Sequence, residues 1–95
     1  MKILVIKVTL RANWVHSLKE KRMVIKSLMG RLKNKFNISV GEIDKQDVHQ
    51  ILVIGIVSIC GSASQGDSIK ENIIDFIENN TDAEIINIEE EEEIF

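Results

Sequence analysis

Residues 1–11 read MKILVIKVTLR, an apolar segment whose two faces differ. The even positions 4, 6, 8 and 10 are all aliphatic, whereas the odd positions are mixed: Ile3, Val5, Lys7, Thr9 and Arg11. Neighbouring side chains of a strand point to opposite faces, so one face of this segment is suited to a core and the other is not. This pattern is typical of a central strand in a sheet that helices cover on one side only.

The rest of the chain alternates between helical and extended patterns. Ser17 and Glu20 have the spacing of a capping box, which predicts a helix over residues 18–35. Extended patterns follow at residues 37–43 and 51–60, with a polar connection between them. A Gly/Ser-rich loop at residues 61–66 then precedes a second helix, which we expect to start near Asp67 or Ser68. Residues 83 to about 89 form a last strand, and the glutamate-rich residues 89–95 form an acidic tail.

The order of these elements, strand, helix, strand, strand, helix, strand, predicts the fold class. The chain shows no internal repeat and no linker, so residues 1–95 form a single domain. A βαββαβ order with two crossovers is that of the α+β ferredoxin-like sandwich, in which two helices cover one face of a four-stranded antiparallel sheet. We predict this fold.

The first helix carries most of the positive charge on its flanks. Its apolar stripe contains Leu18, Ile25, Leu28, Met29, Leu32 and Phe36. A basic ridge runs along one flank and consists of Lys19, Arg22, Lys26 and Lys33. Arg31 and Lys35 lie on the other flank, and together with Lys21 they can extend the patch. Several cations on one rigid face can bind nucleic-acid phosphates, but the same pattern also occurs on helix faces that are only solvated.

The two parts of the chain have opposite charge. Residues 1–35 contain ten Lys or Arg residues and one Glu, a net charge of +9. Residues 36–95 contain two Lys residues and fourteen Asp or Glu residues, a net charge of −12. Such asymmetry favours a charged partner, and nucleic acid is the usual partner of a basic part. The single cysteine excludes an internal disulfide, and no apolar stretch is long enough to span a bilayer. We therefore expect a cytoplasmic protein that is not associated with a membrane.

A family resemblance is carried by a few short blocks. They are Ser17-Leu18-Lys19-Glu20-Lys21-Arg22, then Phe36-Asn37-Ile38-Ser39-Val40 with Glu42 and Asp47, and then the strand that contains Gly55. Together they resemble the YlxP-like family of small bacterial proteins, a domain family without an established activity. The resemblance runs through nearly the whole chain and departs at Val48, at His49 and in the glutamate-rich C-terminus. Genes of this family often lie beside genes for ribosome maturation and translation initiation, so the resemblance implies a connection to RNA or the ribosome.

Other chemistries have weaker support in the sequence. Capping explains Ser17 and Glu20, and His16 beside Ser17 does not provide the geometry of an activated nucleophile. His16, His49 and Cys60 show no metal-ligand spacing, and nothing indicates a cofactor. Glu42 and Asp47 could act as paired carboxylates in acid–base catalysis, or they could fix the turn between two strands. We predict no catalytic residues, and enzymatic function remains a third hypothesis.

The residues on the uncovered face of the sheet distinguish between two modes of binding. The central strands contain no aromatic residue, so we do not expect bases to stack on the sheet. Ile3, Val5 and alternate residues of 51–59 instead leave an apolar strip, which favours a homodimer through the open sheet face. Two functions follow: a non-catalytic factor that binds RNA or a ribosomal particle through the first helix, or a homo-oligomeric adaptor between proteins with no role in nucleic-acid binding.

Overall fold

The computed structural model describes residues Met1–Phe95 and has the predicted order of elements. They are β1 (Lys2–Arg11), α1 (Leu18–Lys35), β2 (Ser39–Asp44), β3 (Ile51–Cys60), α2 (Ala63–Asn80) and β4 (Glu84–Ile94). The four strands form one sheet in the order β2-β3-β1-β4, and every neighbouring pair is antiparallel. The structure thus confirms the predicted α+β ferredoxin-like fold.

The core lies between the helices and one face of the sheet. β1 and β3 occupy the centre of the sheet, and their alternate residues, among them Ile6, Leu10 and Ile56, are fully buried. Ile25, Leu28 and Leu32 of α1 and Ile73 and Ile77 of α2 complete the same cluster. Burying an aliphatic side chain stabilises the fold by roughly 1.5–3 kcal/mol, so this cluster is the main source of stability.

Both ends of α1 lie where the sequence pattern predicts them. The Ser17 hydroxyl accepts a hydrogen bond from the Glu20 amide at 3.1 Å, which satisfies one free N–H group of the first turn. At the other end, the amide of Phe36 donates to the carbonyl of Leu32. Neither α1 nor α2 combines the length with the apolar character that crossing a bilayer requires.

The second helix begins earlier than the composition of residues 61–66 predicts. α2 starts at Ala63, so the prediction of a flexible loop up to Gly66 was wrong. Ser62 is the N-cap, and its hydroxyl accepts from the amide of Gln65 at 3.2 Å. The side chain of Gln65 in turn accepts from the amide of Gly61. This differs from a capping box in one respect, since Gln65 bonds the amide one residue before the N-cap. The two bonds outweigh the low helix propensity of glycine and serine.

The glutamate run is part of the sheet and not a tail. β4 continues to Ile94, five residues beyond the predicted end, and pairs with β1 along its whole length. Lys7 lies opposite Glu89, with 3.5 Å between Nζ and Oε2. Lys70 of α2 contacts Glu90 on the other face at 2.6 Å. β4 is an edge strand, and charged side chains on an edge are a common protection against pairing with further strands.

We expect Ser17→Ala to lower the free energy of unfolding by about 1 kcal/mol, because it removes the N-cap of α1. Ser17→Asp should retain most of the stability, since a carboxylate also accepts from the first-turn amides. Urea denaturation followed by circular dichroism measures both effects. Ser27→Ala, at an exposed position within α1, is the matched control. Equal stability of the Ser17→Ala and Ser27→Ala variants would contradict this account of the helix start.

Candidate functional site

The basic ridge is intact on the surface of α1. The side chains of Lys19, Arg22, Lys26 and Lys33 are all exposed, and they lie on one flank of the helix. At a rise of 1.5 Å per residue, the ridge extends for about 21 Å along the helix axis. The three ion pairs of the structure involve Lys7, Lys21 and Lys70, so no carboxylate neutralises a ridge cation.

Lys21 does not belong to this surface, although the sequence pattern placed it in the basic patch. Its side chain is 1% exposed, which makes it the largest fully buried side chain of the protein. A cation at this depth cannot reach a phosphate outside the protein. We correct the prediction by leaving Lys21 out of the candidate site.

The buried ammonium of Lys21 joins three parts of the fold. Its Nζ lies 3.4 Å from Oε2 of Glu42, which points from β2 toward the helices. The same Nζ donates to the carbonyl of Val48 at 2.6 Å and to the carbonyl of Lys45. Residues 45–48 form a hydrogen-bonded turn in which Lys45 has a φ of 53°. Lys21 therefore fixes the β2–β3 connection against the first turns of α1.

A helical periodicity that includes position 21 could have revealed this role. Counting from Leu18, the spacings to Lys21, Ile25, Leu28 and Leu32 alternate between three and four residues. That is the period of a face that points into a core. The predicted stripe omitted Lys21 because lysine is rarely buried unless its charge is compensated. Glu42 compensates it, and the sequence alone did not connect the two residues.

Arg31 and Lys35 lie on the opposite flank of α1, which faces α2. The guanidinium of Arg31 donates to the carbonyl of Asn80 at 3.3 Å and so links the helix to the end of α2. Lys35 borders a shallow depression between the two helices, next to Phe36 and Phe76. These two rings pack edge to face with their centroids 5.5 Å apart. Both cations are exposed, but they are separated from the basic ridge by the outer face of the helix.

The remaining candidate residues do not come together into a reactive site. Glu42 is occupied by Lys21, whereas Asp47 is exposed in the connection that follows β2. His16 and His49 are exposed in two different connections, and the thiol of Cys60 is buried at the end of β3. The two carboxylates that the sequence offered as a pair therefore have separate surroundings.

Comparison with known proteins identifies the family of this chain. Residues 3–90 match the family described as "Protein of unknown function (DUF503)". The chain belongs to the DUF503 family. It is similar to "Uncharacterized protein YlxP" of Bacillus subtilis strain 168, with 40% identity over 63 residues that cover 66% of this chain and 68% of that protein. The resemblance that the sequence motifs suggested is thereby confirmed.

In this DUF503 protein, the distinctive Ser17–Arg22 block has two kinds of residue. Ser17, Glu20 and Lys21 serve the fold, since they cap α1 and hold the β2–β3 connection. Lys19 and Arg22 are exposed and have no hydrogen bond or ion pair within the protein. Lys19 and Arg22 are therefore the two cations of the block that are free to contact a partner.

We expect Lys21→Ala to lower the free energy of unfolding by about 3–5 kcal/mol, because it leaves the Glu42 carboxylate without its cation and two carbonyl groups without their donor. Lys19→Ala, two positions away and exposed, should change stability by no more than about 0.5 kcal/mol. Urea denaturation of both variants measures the difference. Similar losses in the two variants would show that the buried ion pair does not hold the fold.

Proposed function

We propose that this DUF503 protein is a non-catalytic factor that binds RNA, free or within a ribosomal particle, through the basic ridge of α1. The observation that supports the proposal is the row of four exposed cations, none of which has a carboxylate partner. A solvated helix commonly pairs lysine with glutamate three or four residues away. Here the unpaired charges lie on one rigid element, as phosphate binding requires.

The position of α1 in the fold also favours an anionic ligand. Lys21 attaches α1 to β2, which forms one edge of the sheet, whereas the glutamates of β4 lie at the other edge. A polyanion can therefore approach the ridge from the side remote from the acidic strand. Charge distributed in this way selects an orientation as well as a partner.

We further propose that the ligand is structured RNA contacted mainly through its backbone. β1 and β3 carry no aromatic side chain, and the exposed aromatics Trp14 and Phe95 lie outside these strands. Proteins that read single-stranded RNA usually stack bases on aromatic side chains. A straight row of lysine and arginine is better suited to the phosphates of a duplex. We place this activity in the cytoplasm, where a single unpaired cysteine is stable.

The test is a titration of fluorescently labelled hairpin RNA with the protein. We expect simultaneous replacement of Arg22, Lys26 and Lys33 by Glu to abolish binding and to leave the circular dichroism spectrum unchanged. The matched control replaces Lys2, Lys35 and Lys45 by Glu, which changes the net charge equally and leaves the ridge intact. Binding that is lost equally in both variants would indicate attraction by overall charge and would contradict a localised site.

Salt dependence tests how many ridge cations contact phosphate. Each neutralised phosphate contributes roughly −0.7 to −0.9 to the slope of log K against log salt concentration. The four ridge cations therefore predict a slope of about −2.8 to −3.6. We expect Lys26→Gln alone to reduce the slope by about one. An unchanged slope in this variant would show that Lys26 does not contact the RNA.

A second candidate function is an adaptor that oligomerises and connects other proteins. The exposed aliphatic side chains on the open face of the sheet favour it, because contiguous patches of this kind mark protein interfaces. The adaptor predicts indifference to RNA at low salt and protein complexes that survive ribonuclease treatment. The hairpin titration therefore separates the two functions directly.

A further inference from the structure

The open face of the sheet carries an aliphatic quartet that the fold does not cover. Ile3 pairs with Ile59, and Val5 pairs with Val57, in the register of β1 and β3. These four side chains point away from the helices, since their sequence neighbours Leu4, Ser58 and Cys60 are buried on the helix side. Ile59 is 70% exposed and Val57 is 42% exposed. The quartet lies in the middle of the sheet, across the two central strands.

Carboxylates border the quartet on one side only. Glu93 pairs with Ile3 and Glu91 with Val5, so both carboxylates line the β4 side of the open face. Neither has an ion pair, whereas the next residue along this face, Glu89, is neutralised by Lys7. On the β2 side, Val57 is opposite the uncharged Ser39. The quartet is therefore flanked by negative charge toward β4 and by a neutral strand toward β2.

We propose that the quartet is the centre of a homodimer in which two sheets pack face to face around a two-fold axis parallel to the strands. The axis lies between β1 and β3, so β1 of each copy covers β3 of the other. The quartet of one copy then covers the quartet of its partner, as in the aligned packing of β-sandwiches. The proposal is independent of RNA binding, because α1 lies on the other side of the sheet.

The glutamates of β4 select this arrangement among the two-fold arrangements that cover both quartets. An axis perpendicular to the strands and parallel to the sheets would place β4 of one copy over β4 of the other. Glu91 and Glu93 of one copy would then face the same pair of glutamates in the other copy. An axis along the strands places β4 of one copy over β2 of the other, so that Glu91 and Glu93 face the region of Ser39. Like charges are thus kept apart.

The same charges favour a second copy of the chain, and not a membrane surface, as the partner of the quartet. Anionic lipid headgroups would repel the unpaired carboxylates beside the quartet. A second copy presents both an apolar quartet of the same shape and a neutral strand at the place where the carboxylates lie. The face is therefore complementary to itself.

The experiment is sedimentation equilibrium of the RNA-free protein in reducing buffer at increasing concentration. We expect a monomer–dimer equilibrium, and we expect Val57→Thr with Ile59→Thr to weaken it by about tenfold or more, since each substitution acts twice in a symmetric dimer. Threonine keeps the β-branched shape that strands prefer, so the variant should remain folded. The matched control, Met23→Gln with Ile86→Thr, changes two exposed apolar residues elsewhere and should leave the equilibrium unchanged. A wild-type monomer at every concentration, or a dimer weakened equally by both variants, would overturn the proposal.

A second variant tests the direction of the axis. Glu91→Gln with Glu93→Gln removes the charges that would repel each other if β4 covered β4. In the proposed arrangement, this variant should dimerise as the wild-type protein does or more weakly. A clearly tighter dimer would overturn the axis along the strands and would indicate the crossed arrangement.

Discussion

The buried ammonium of Lys21 is the interaction on which the arrangement of α1, β2 and the β2–β3 connection depends. Removing a charge from water costs several kcal/mol even after the protein relaxes, so Lys21 is tolerated only because one carboxylate and two carbonyl groups surround it. Glu42 forms an ion pair with the ammonium, and the carbonyls of Lys45 and Val48 accept its hydrogen bonds. If any of them moved away, the cation would be left insufficiently paired in the core. The interaction therefore specifies one geometry of the connection and of the helix that precedes it.

The regular part of the fold could be predicted from the sequence because periodicity alone defines it. The two central strands and α1 have long, uninterrupted apolar patterns, and their predicted limits agree with the structure to within one residue. The start of α2 was predicted too late because the glycine and serine content of residues 61–66 is typical of a loop. The hydrogen bonds of Ser62 and Gln65 outweigh composition there, and the Ser-x-x-Gln spacing was the available signal.

The candidate site was harder to predict, since a charged residue has no fixed place in the fold. Lys21 has the same side chain as Lys19, but only one of them is accessible to a ligand. The compensating charge of Lys21 comes from a residue of β2, twenty-one positions away along the chain, and helical periodicity cannot identify that partner. The glutamates of β4 present the same difficulty, because alternation places Glu90 against α2 and Glu91 on the open face. Only the register of the sheet separates those that serve the fold from those that remain free.

Once the charges used within the fold are set aside, the surface has a simpler organisation than the net charge of −3 suggests. The free cations of the basic ridge lie on α1 toward the β2 edge, and the free carboxylates lie at the β4 edge. Three strand spacings separate β2 from β4, which is about 14 Å. The Debye length is about 8 Å at physiological ionic strength, so a ligand on the ridge is largely screened from the acidic edge. At very low salt the screening length exceeds the width of the sheet, and the net negative charge then opposes the ridge. For the proposed RNA ligand, the local arrangement of charge therefore matters more than the isoelectric point.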